Sequence, residues 1–293
     1  MRTKGGRGGE DRPPRQRRRV VRRLFLAGVG VLLVWLWFVW PPPLWYRWRW
    51  PRQTAFMAMR RGQEADALQH GGPRGVLPTR LYRPVPRQQI APVMRSVVLV
   101  AEDHRFYQHT GIDYQEIREA LGYRRDEFHW SNTKDRAELG RVLGRAWSRR
   151  DRLRGASTIT QQLAKNLYLS PSRNPLRKVK EALTAWRLEY WLGKERILEL
   201  YLNVVELGPE VWGVDAASRK YFGHPAQRLS LDEAAALAGS LPFPLKSNPG
   251  YRPGRMRWRQ GMIVRRIRGE AVEIPRVAAD LPDSVKADTS SQQ

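Results

Sequence analysis

The stretch RGASTITQQLAKNLYL, Arg154–Leu169, decides how this chain is read. It has helical length, yet three Ser/Thr hydroxyls, two glutamines, a lysine and an asparagine leave it little apolar cover. Gly155 allows a sharp turn into the helix, and Ser157 or Thr158 can cap its orphan N–H groups. Ser157, Gln161 and Lys165 fall at i, i+4 and i+8, one stripe of donors ending in a cation. A helix N-terminus with such a stripe suits an anionic or sugar-rich ligand. Capping plus an exposed polar face accounts for Ser157 and Thr158 but leaves the paired glutamines and Lys165 without a purpose.

Two segments on either side carry carboxylates. In VVLVAEDHRFYQHTGID, Val97–Asp113, an apolar helical face runs directly into Glu102 and Asp103, followed by Phe106, His109, Gly111 and Asp113. A carboxylate closing an apolar run is placed for general acid or base chemistry, although an exposed helix end with solvated acids has the same spacing. In RKVKEALTAWRLE, Arg177–Glu189, Arg177 and Lys178 share a helical face with Glu181. That triplet reads either as a surface ion pair or as a grip on a metal-bound pyrophosphate.

The remainder of the 293 residues sets these motifs in a frame. A hydrophobic content of 41% suits a packed core, and 53 Lys+Arg against 28 Asp+Glu give a net charge of +25, which calls for an anionic partner. Nucleic acid, anionic lipid and phosphorylated substrate all satisfy that charge. The absence of cysteine excludes disulfides and thiolate metal sites. Residues 1–23 carry ten Lys/Arg against two acids and are expected to be without structure, a cytoplasmic basic tail. Residues 24–40, LFLAGVGVLLVWLWFVW, hold no charge and stand at the lower limit of a membrane-spanning helix. A cleavable signal peptide shares this layout. However, PPPLWYRWRWP follows, an aromatic belt in place of a small-residue cleavage site, which favours a retained anchor. The arginines keep the N-terminus cytoplasmic and the rest outside, so about a third of the excess charge serves topology and nucleic acid loses weight as the partner.

Residues 41–90 read as a juxtamembrane linker rich in Gly, Pro and Arg. From Pro92 to about Arg268 the apolar period is helical with Gly/Pro turns and no strand-like alternation, so the outer domain, 91–270, is expected to be mainly α. A highly charged segment at about 122–154 reads as a solvated, partly helical insertion, with a membrane-surface contact through Trp130 and Trp147 as the alternative. Residues 271–293 form a tail.

Taken in order, EDHRFYQHTGID, GASTITQQLAKNLYL, RKVKE, KERILELYLNVVELG and EAAALAGSLPFP resemble the peptidoglycan glycosyltransferases, the transglycosylase domain of class A penicillin-binding proteins. The resemblance covers about residues 90–265 and fits the monofunctional, membrane-anchored members best, because about two dozen residues follow it, too few for a transpeptidase domain. It implies a lysozyme-like helical fold behind one N-terminal transmembrane helix. It implies that Glu102 is the base on the acceptor 4-hydroxyl, and that Glu181 assists the departing lipid pyrophosphate, through a divalent ion (Mg or Mn), with no organic cofactor. Lys165, Arg177 and Lys178 would grip phosphate, and Asp103, Phe106, His109, Ser157, Thr158, Gln161 and Asn166 would contact substrate. The implied donor is a glycan on undecaprenyl pyrophosphate, the acceptor lipid II, and the product a β-1,4 strand formed with inversion. The implied setting is the bacterial plasma membrane with an extracytoplasmic catalytic domain, transpeptidases or division proteins as partners and no nucleic acid. The segment between Asp113 and Gly155 is longer than the family's usual jaw. Two other classes stay open on the residues alone: a muramidase-type hydrolase using Glu102 as acid, and a basic membrane protein without catalysis.

Overall fold

The computed structural model describes residues 14–38, 43–69, 79–120, 132, 133, 137, 141, 157–168 and 176–272. The chain divides into two units, Met1–Pro42 and Pro43–Gln293. In the first, helix α1 spans Pro14–Phe38. This corrects the expectation for residues 14–23: Pro suits the first helical turn, Arg and Gln are good helix formers, and the helix continues into the apolar run. Leu24, Phe25, Val31 and Val34 are exposed along it. The expected span, 24–40, extends past the end of α1, and among the described residues no helix is long and apolar enough to cross a membrane.

The second unit begins much earlier than residue 91. A 3-10 turn, Pro43–Arg47, leads to α2, Ala55–Gln69, where Thr54 Oγ1 accepts from the Met57 N–H at 3.1 Å as a helix cap. Met57 is fully buried, Phe56 stacks edge-on against Trp212, and Arg60 pairs with Glu206 at 2.9 Å. The described residues of the supposed linker, 43–69 and 79–90, are therefore part of the folded domain. Its Arg-rich composition hid a helix whose long polar side chains reach inward to buried acids.

The core is built from α3 (Pro92–Glu102), α4 (Tyr114–Ala120), α5 (Ile159–Tyr168), α6 (Leu176–Val204), α7 (Val214–Phe222), α8 (Leu231–Ser240) and α9 (Gly254–Ile267). Helix α5 packs on α6 and α2, while α3 packs on α8 and α9. Pro92 starts α3 and Met94, Val97, Val98 and Ala101 form its buried face. A complete capping box, Ser230 with Glu233, starts α8. Small buried residues, Ala234, Ala235, Ala236, Ala238 and Gly239, let α8 approach α9 closely: a Cβ added at Gly239 would lie 2.8 Å from the Met256 carbonyl oxygen. Strands β1 (Leu81–Tyr82), β2 (Glu206–Gly208) and β3 (Val211–Trp212) form a sheet in the order β1-β3-β2, with β1 parallel and β2 antiparallel to β3. Strands this short show no alternation, so apolar patterning does not reveal them. Asn203 ties this layer to α6: its side chain accepts from the Val85 N–H at 2.8 Å and donates to the Val85 carbonyl at 2.9 Å. Of the charged insertion, Asn132, Thr133, Ala137 and Arg141 are described and exposed; the rest of 122–154, and the tail beyond Val272, lie outside the described residues.

Two glycines on and after α6 separate strain from collision. Gly193 interrupts the helix at φ 72°, ψ 162°, with open space where a Cβ would stand. Gly213, at φ 83°, ψ 157°, has the Asn203 carbonyl oxygen 2.4 Å from that position. Both conformations belong to glycine. Gly193→Ala is expected to cost about 1–3 kcal/mol of strain alone, and Gly213→Ala to exceed it by at least ~1 kcal/mol. Urea unfolding of the two variants checks this, and equal losses would contradict the packing described at Gly213.

Candidate active site

Helix α3 delivers two adjacent carboxylates to one place. Glu102 is its last residue, 8% exposed, and Asp103 closes the helix, 1% exposed. Glu102 Oε1 accepts from Arg259 Nη2 at 2.6 Å, and the same nitrogen reaches the Ala101 carbonyl at 3.2 Å. Arg259, on α9, is fully buried. Glu102 Oε2 accepts from Gln162 Nε2 at 3.1 Å, and Gln162 Oε1 accepts from the Tyr201 hydroxyl at 2.9 Å. Burial, joined by the negative charges of Glu102 and Asp103 against the opposing pull of Arg259, pushes the Tyr201 hydroxyl well above its ordinary range. It is a proton donor at every working pH.

Asp103 turns the other way, toward the start of α5. Its Oδ2 accepts from the Ile159 N–H at 2.9 Å, and its carboxylate meets His109 Nε2 at 3.0 Å. Thr158 and Gln161 form a reciprocal capping box: the Gln161 N–H donates to Thr158 Oγ1 and the Thr158 N–H to Gln161 Oε1, each at 3.1 Å. Thr158 Oγ1 also donates to the Gly111 carbonyl at 2.6 Å. Two residues on, Thr160 Oγ1 donates to Glu189 at 2.7 Å, where the Gly111 N–H and Lys194 also converge. The polar opening of this helix is thus largely internal. Its hydroxyls and amides satisfy buried acids and backbone, not solvent.

Glu181, 3% exposed on the first part of α6, receives Ser157 Oγ at 3.5 Å. Ser157 Oγ also approaches Gln161 Oε1 at 3.4 Å, and the Ser157 carbonyl accepts from Gln162 Nε2 at 3.4 Å. The two carboxylates expected to do chemistry therefore flank the N-terminus of α5, bridged by Ser157 and Gln162. Asp103, His109, Thr158 and Gln161 gather at the same point. Phe106 is buried in the core against Tyr107 and His109, with Lys194 Nζ 4.4 Å from its ring. Asn166 is buried. Lys165 lies two turns along α5, partly exposed, its Nζ 5.4 Å from the Phe56 ring. Arg177 and Lys178 stand in the first turn of α6, their side chains outside the described residues.

Three residues of this network have no place in the sequence reading: Gln162, Tyr201 and Arg259. Gln162 carried a signal, the pairing with Gln161, but the i, i+4 stripe singled out Gln161 and not the glutamine that meets Glu102. Tyr201 and Arg259 carried none, since Arg259 is one arginine in an arginine-rich helix and only burial distinguishes it.

One group among the described residues has metal-ligand spacing: Asp103, His109 and Asp113, whose ligand atoms lie within 4.8 Å of one another. Its chemistry fits a hydrogen-bonded network better. Asp103 is occupied by Ile159 and His109, and Asp113 takes a two-pronged bond from Arg105 at 2.8 and 3.2 Å and the Glu116 N–H at 2.9 Å. The Arg105 guanidinium already engages both Asp113 oxygens. Burial pushes the Asp113 carboxyl up, but the Glu116 N–H and Arg105 outweigh it and hold it below the usual range.

A family model described as Transglycosylase matches residues 76–131 and 125–268. The chain belongs to the transglycosylase family and is an enzyme. It is 36% identical over 257 residues to the biosynthetic peptidoglycan transglycosylase of Bordetella pertussis (strain Tohama I), covering 88% of this chain and 95% of that one. It is 39% identical to the protein of the same name in Azoarcus sp. (strain BH72), over 80% and 94% of the two chains. A third, from Ralstonia nicotianae, is 42% identical over 56% of this chain and 60% of its own. Glu102, Gln162, Glu181, Tyr201 and Arg259 all fall inside the transglycosylase match.

The Asp113 network has a pH signature. A depressed carboxyl contributes stability that is complete above its unfolded value, near 3.8, and is lost as pH falls through the lower folded value. Asp113→Asn is therefore expected to lower the melting temperature at neutral pH and to flatten its fall below about pH 4. An acid limb as steep as the wild type's would show that the pairing with Arg105 is not a stabilising one.

Proposed function

We propose that this enzyme polymerises lipid II into β-1,4 glycan strands, inverting the anomeric centre of an undecaprenyl-pyrophosphate-linked donor. The observation that carries the reading is the pair of buried carboxylates, Glu102 and Glu181, on either side of the α5 N-terminus. The names of the similar proteins and the order of the motifs support the same substrate class.

Glu102 is the general base. The acceptor 4-hydroxyl oxygen attacks the donor anomeric carbon as its proton passes to Glu102, and the bond from that carbon to the pyrophosphate oxygen breaks. Arg177 and Lys178, on the same helical stretch as Glu181, favour transfer from a pyrophosphate donor over muramidase-type hydrolysis, which has no use for cations there. Charge then builds on the leaving pyrophosphate. The Ile159 and Gln161 N–H groups at the α5 start are taken by Asp103 and Thr158. The side-chain cations Lys165, Arg177 and Lys178 therefore supply more of the stabilisation. Glu181 offers one carboxylate outside the Asp103–His109–Asp113 group, and a single carboxylate completed by substrate phosphates suits Mg²⁺ or Mn²⁺. Such an ion would neutralise the leaving group.

The domain works, in this reading, at the outer face of the plasma membrane, behind a retained anchor within residues 24–40. The +8 segment before Leu24, the exposed apolar side chains of α1 and the exposed Trp45 and Trp48 support that placement. A reporter fused after Gln293 should be active only outside the membrane, and activity in the cytoplasm would overturn the topology.

Labelled lipid II tests the chemistry. Glu102→Gln keeps shape and hydrogen bonding but cannot take the proton, so polymerisation should fall at least ~10²-fold. Glu181→Gln should slow turnover and change its dependence on divalent ion. Near wild-type polymerisation by Glu102→Gln would remove the base assignment, and an unaltered ion dependence in Glu181→Gln would remove the proposed role of the ion.

A further inference from the structure

We propose that Tyr201 is a positioning residue that acts through Gln162 to make Oε2 of Glu102 the oxygen that receives the acceptor proton. The proposal rests on the reading of Glu102 as the base. The two oxygens of this carboxylate are held by unequal partners. Oε1 meets the fully buried guanidinium of Arg259 at 2.6 Å, and that nitrogen is itself tied to the Ala101 carbonyl one residue away. A charge-assisted bond between buried groups is the stronger kind, so Oε1 stays committed throughout the reaction. Among the described residues, Oε2 meets only the neutral Gln162 amide, at 3.1 Å. This bond is weaker and leaves a lone pair, so Oε2 is the oxygen an incoming hydroxyl can reach.

The arrangement works only if Gln162 presents its NH₂ group to Glu102. Turned over, the amide would set its own oxygen against Oε2, two acceptors face to face. The Tyr201 hydroxyl prevents that. It is fully buried, keeps its proton, and donates to Gln162 Oε1 at 2.9 Å, its one hydrogen bond among the described residues. The second Gln162 N–H, shared with the Ser157 carbonyl at 3.4 Å, points the amide the same way. Tyr201 itself meets no substrate. It selects the rotamer of the group that steadies the base.

A double-mutant cycle in the lipid II assay tests this on the full-length enzyme. Tyr201→Phe removes one hydroxyl and keeps the ring, and Gln162→Ala removes the amide. Tyr201→Phe should lower kcat about 10-fold, with KM for lipid II within about twofold, since geometry at the base and not binding is disturbed. Because Tyr201 acts through Gln162, adding Tyr201→Phe to Gln162→Ala should change kcat no further. Gln162→Asn, carrying the same amide on a shorter arm, should recover part of what Gln162→Ala loses only while Tyr201 is present. Independent effects that multiply in the double variant would overturn the proposal, as would Tyr201→Phe at wild-type kcat. If Glu102→Gln is inactive while Tyr201→Phe is fully active, this proposal alone fails. If Glu102→Gln retains turnover, the base reading beneath it fails as well.

Discussion

Two neighbouring carboxylates, Glu102 and Asp103, end a buried helix, and the need to give each a donor organises the domain around them. Removing one partner from a buried charge pair typically costs about 3–5 kcal/mol, so neither acid tolerates an empty side. Glu102 draws in Arg259 from α9 and Gln162 from α5; Asp103 draws in the first N–H of α5 and His109 from the following loop. Helices distant in sequence are fixed by bonds to two consecutive side chains. The same bonds that hold α5 against α3 bring the Glu102 carboxylate, the proposed base, to the helix start.

Helix α6 repeats the device from the other side. Glu181 and Glu189 are eight residues apart, about two turns, and so face the same neighbour. Glu181 receives Ser157 and Glu189 receives Thr160, each from the opening turns of α5. Glu189 also takes the Gly111 N–H, where φ is 77° and an added Cβ would lie 3.1 Å from the Ala185 backbone. The loop after Asp103 is thereby pressed onto α6, and the distance between the two carboxylate-bearing helices is set by short bonds.

This explains which parts were legible in the sequence. Helical periodicity identified α3 and the acid at its end, because a buried face followed by Glu102 is a local signal. The cap, left open between Ser157 and Thr158, falls at Thr158. Periodicity was silent wherever the decision lay between faces. Spacing shows that Ser157, Gln161 and Lys165 share a side of α5, yet it does not show that Gln161 faces its own helix cap while Gln162 faces Glu102. Arg259 and Tyr201 owe their importance to what folds onto them from elsewhere, which no window of sequence contains. The helix in residues 55–69 was missed because arginine and glutamine read as solvated, whereas Arg60 closes over Glu206.

That misread helix bears on the cation side of the site. Burial pushes the Glu206 carboxyl up, and Arg60 and Lys165 together oppose it, so the acid senses both charges. Arg60 holds both Glu206 oxygens at 2.9 Å, while Phe56, one turn earlier on α2, lies under Arg60 and Lys165 alike. An aromatic face steadies a cation without cancelling its charge, whereas an unoccupied carboxylate at the same place would neutralise it. Arg60 on α2 thus keeps Glu206 engaged, and Lys165 adds its charge from α5. The segment that looked like a tether between anchor and enzyme is packed against α5 beside Lys165, one of the cations proposed to grip phosphate, because its aromatic and basic side chains close over a buried acid that would otherwise stand unpaired.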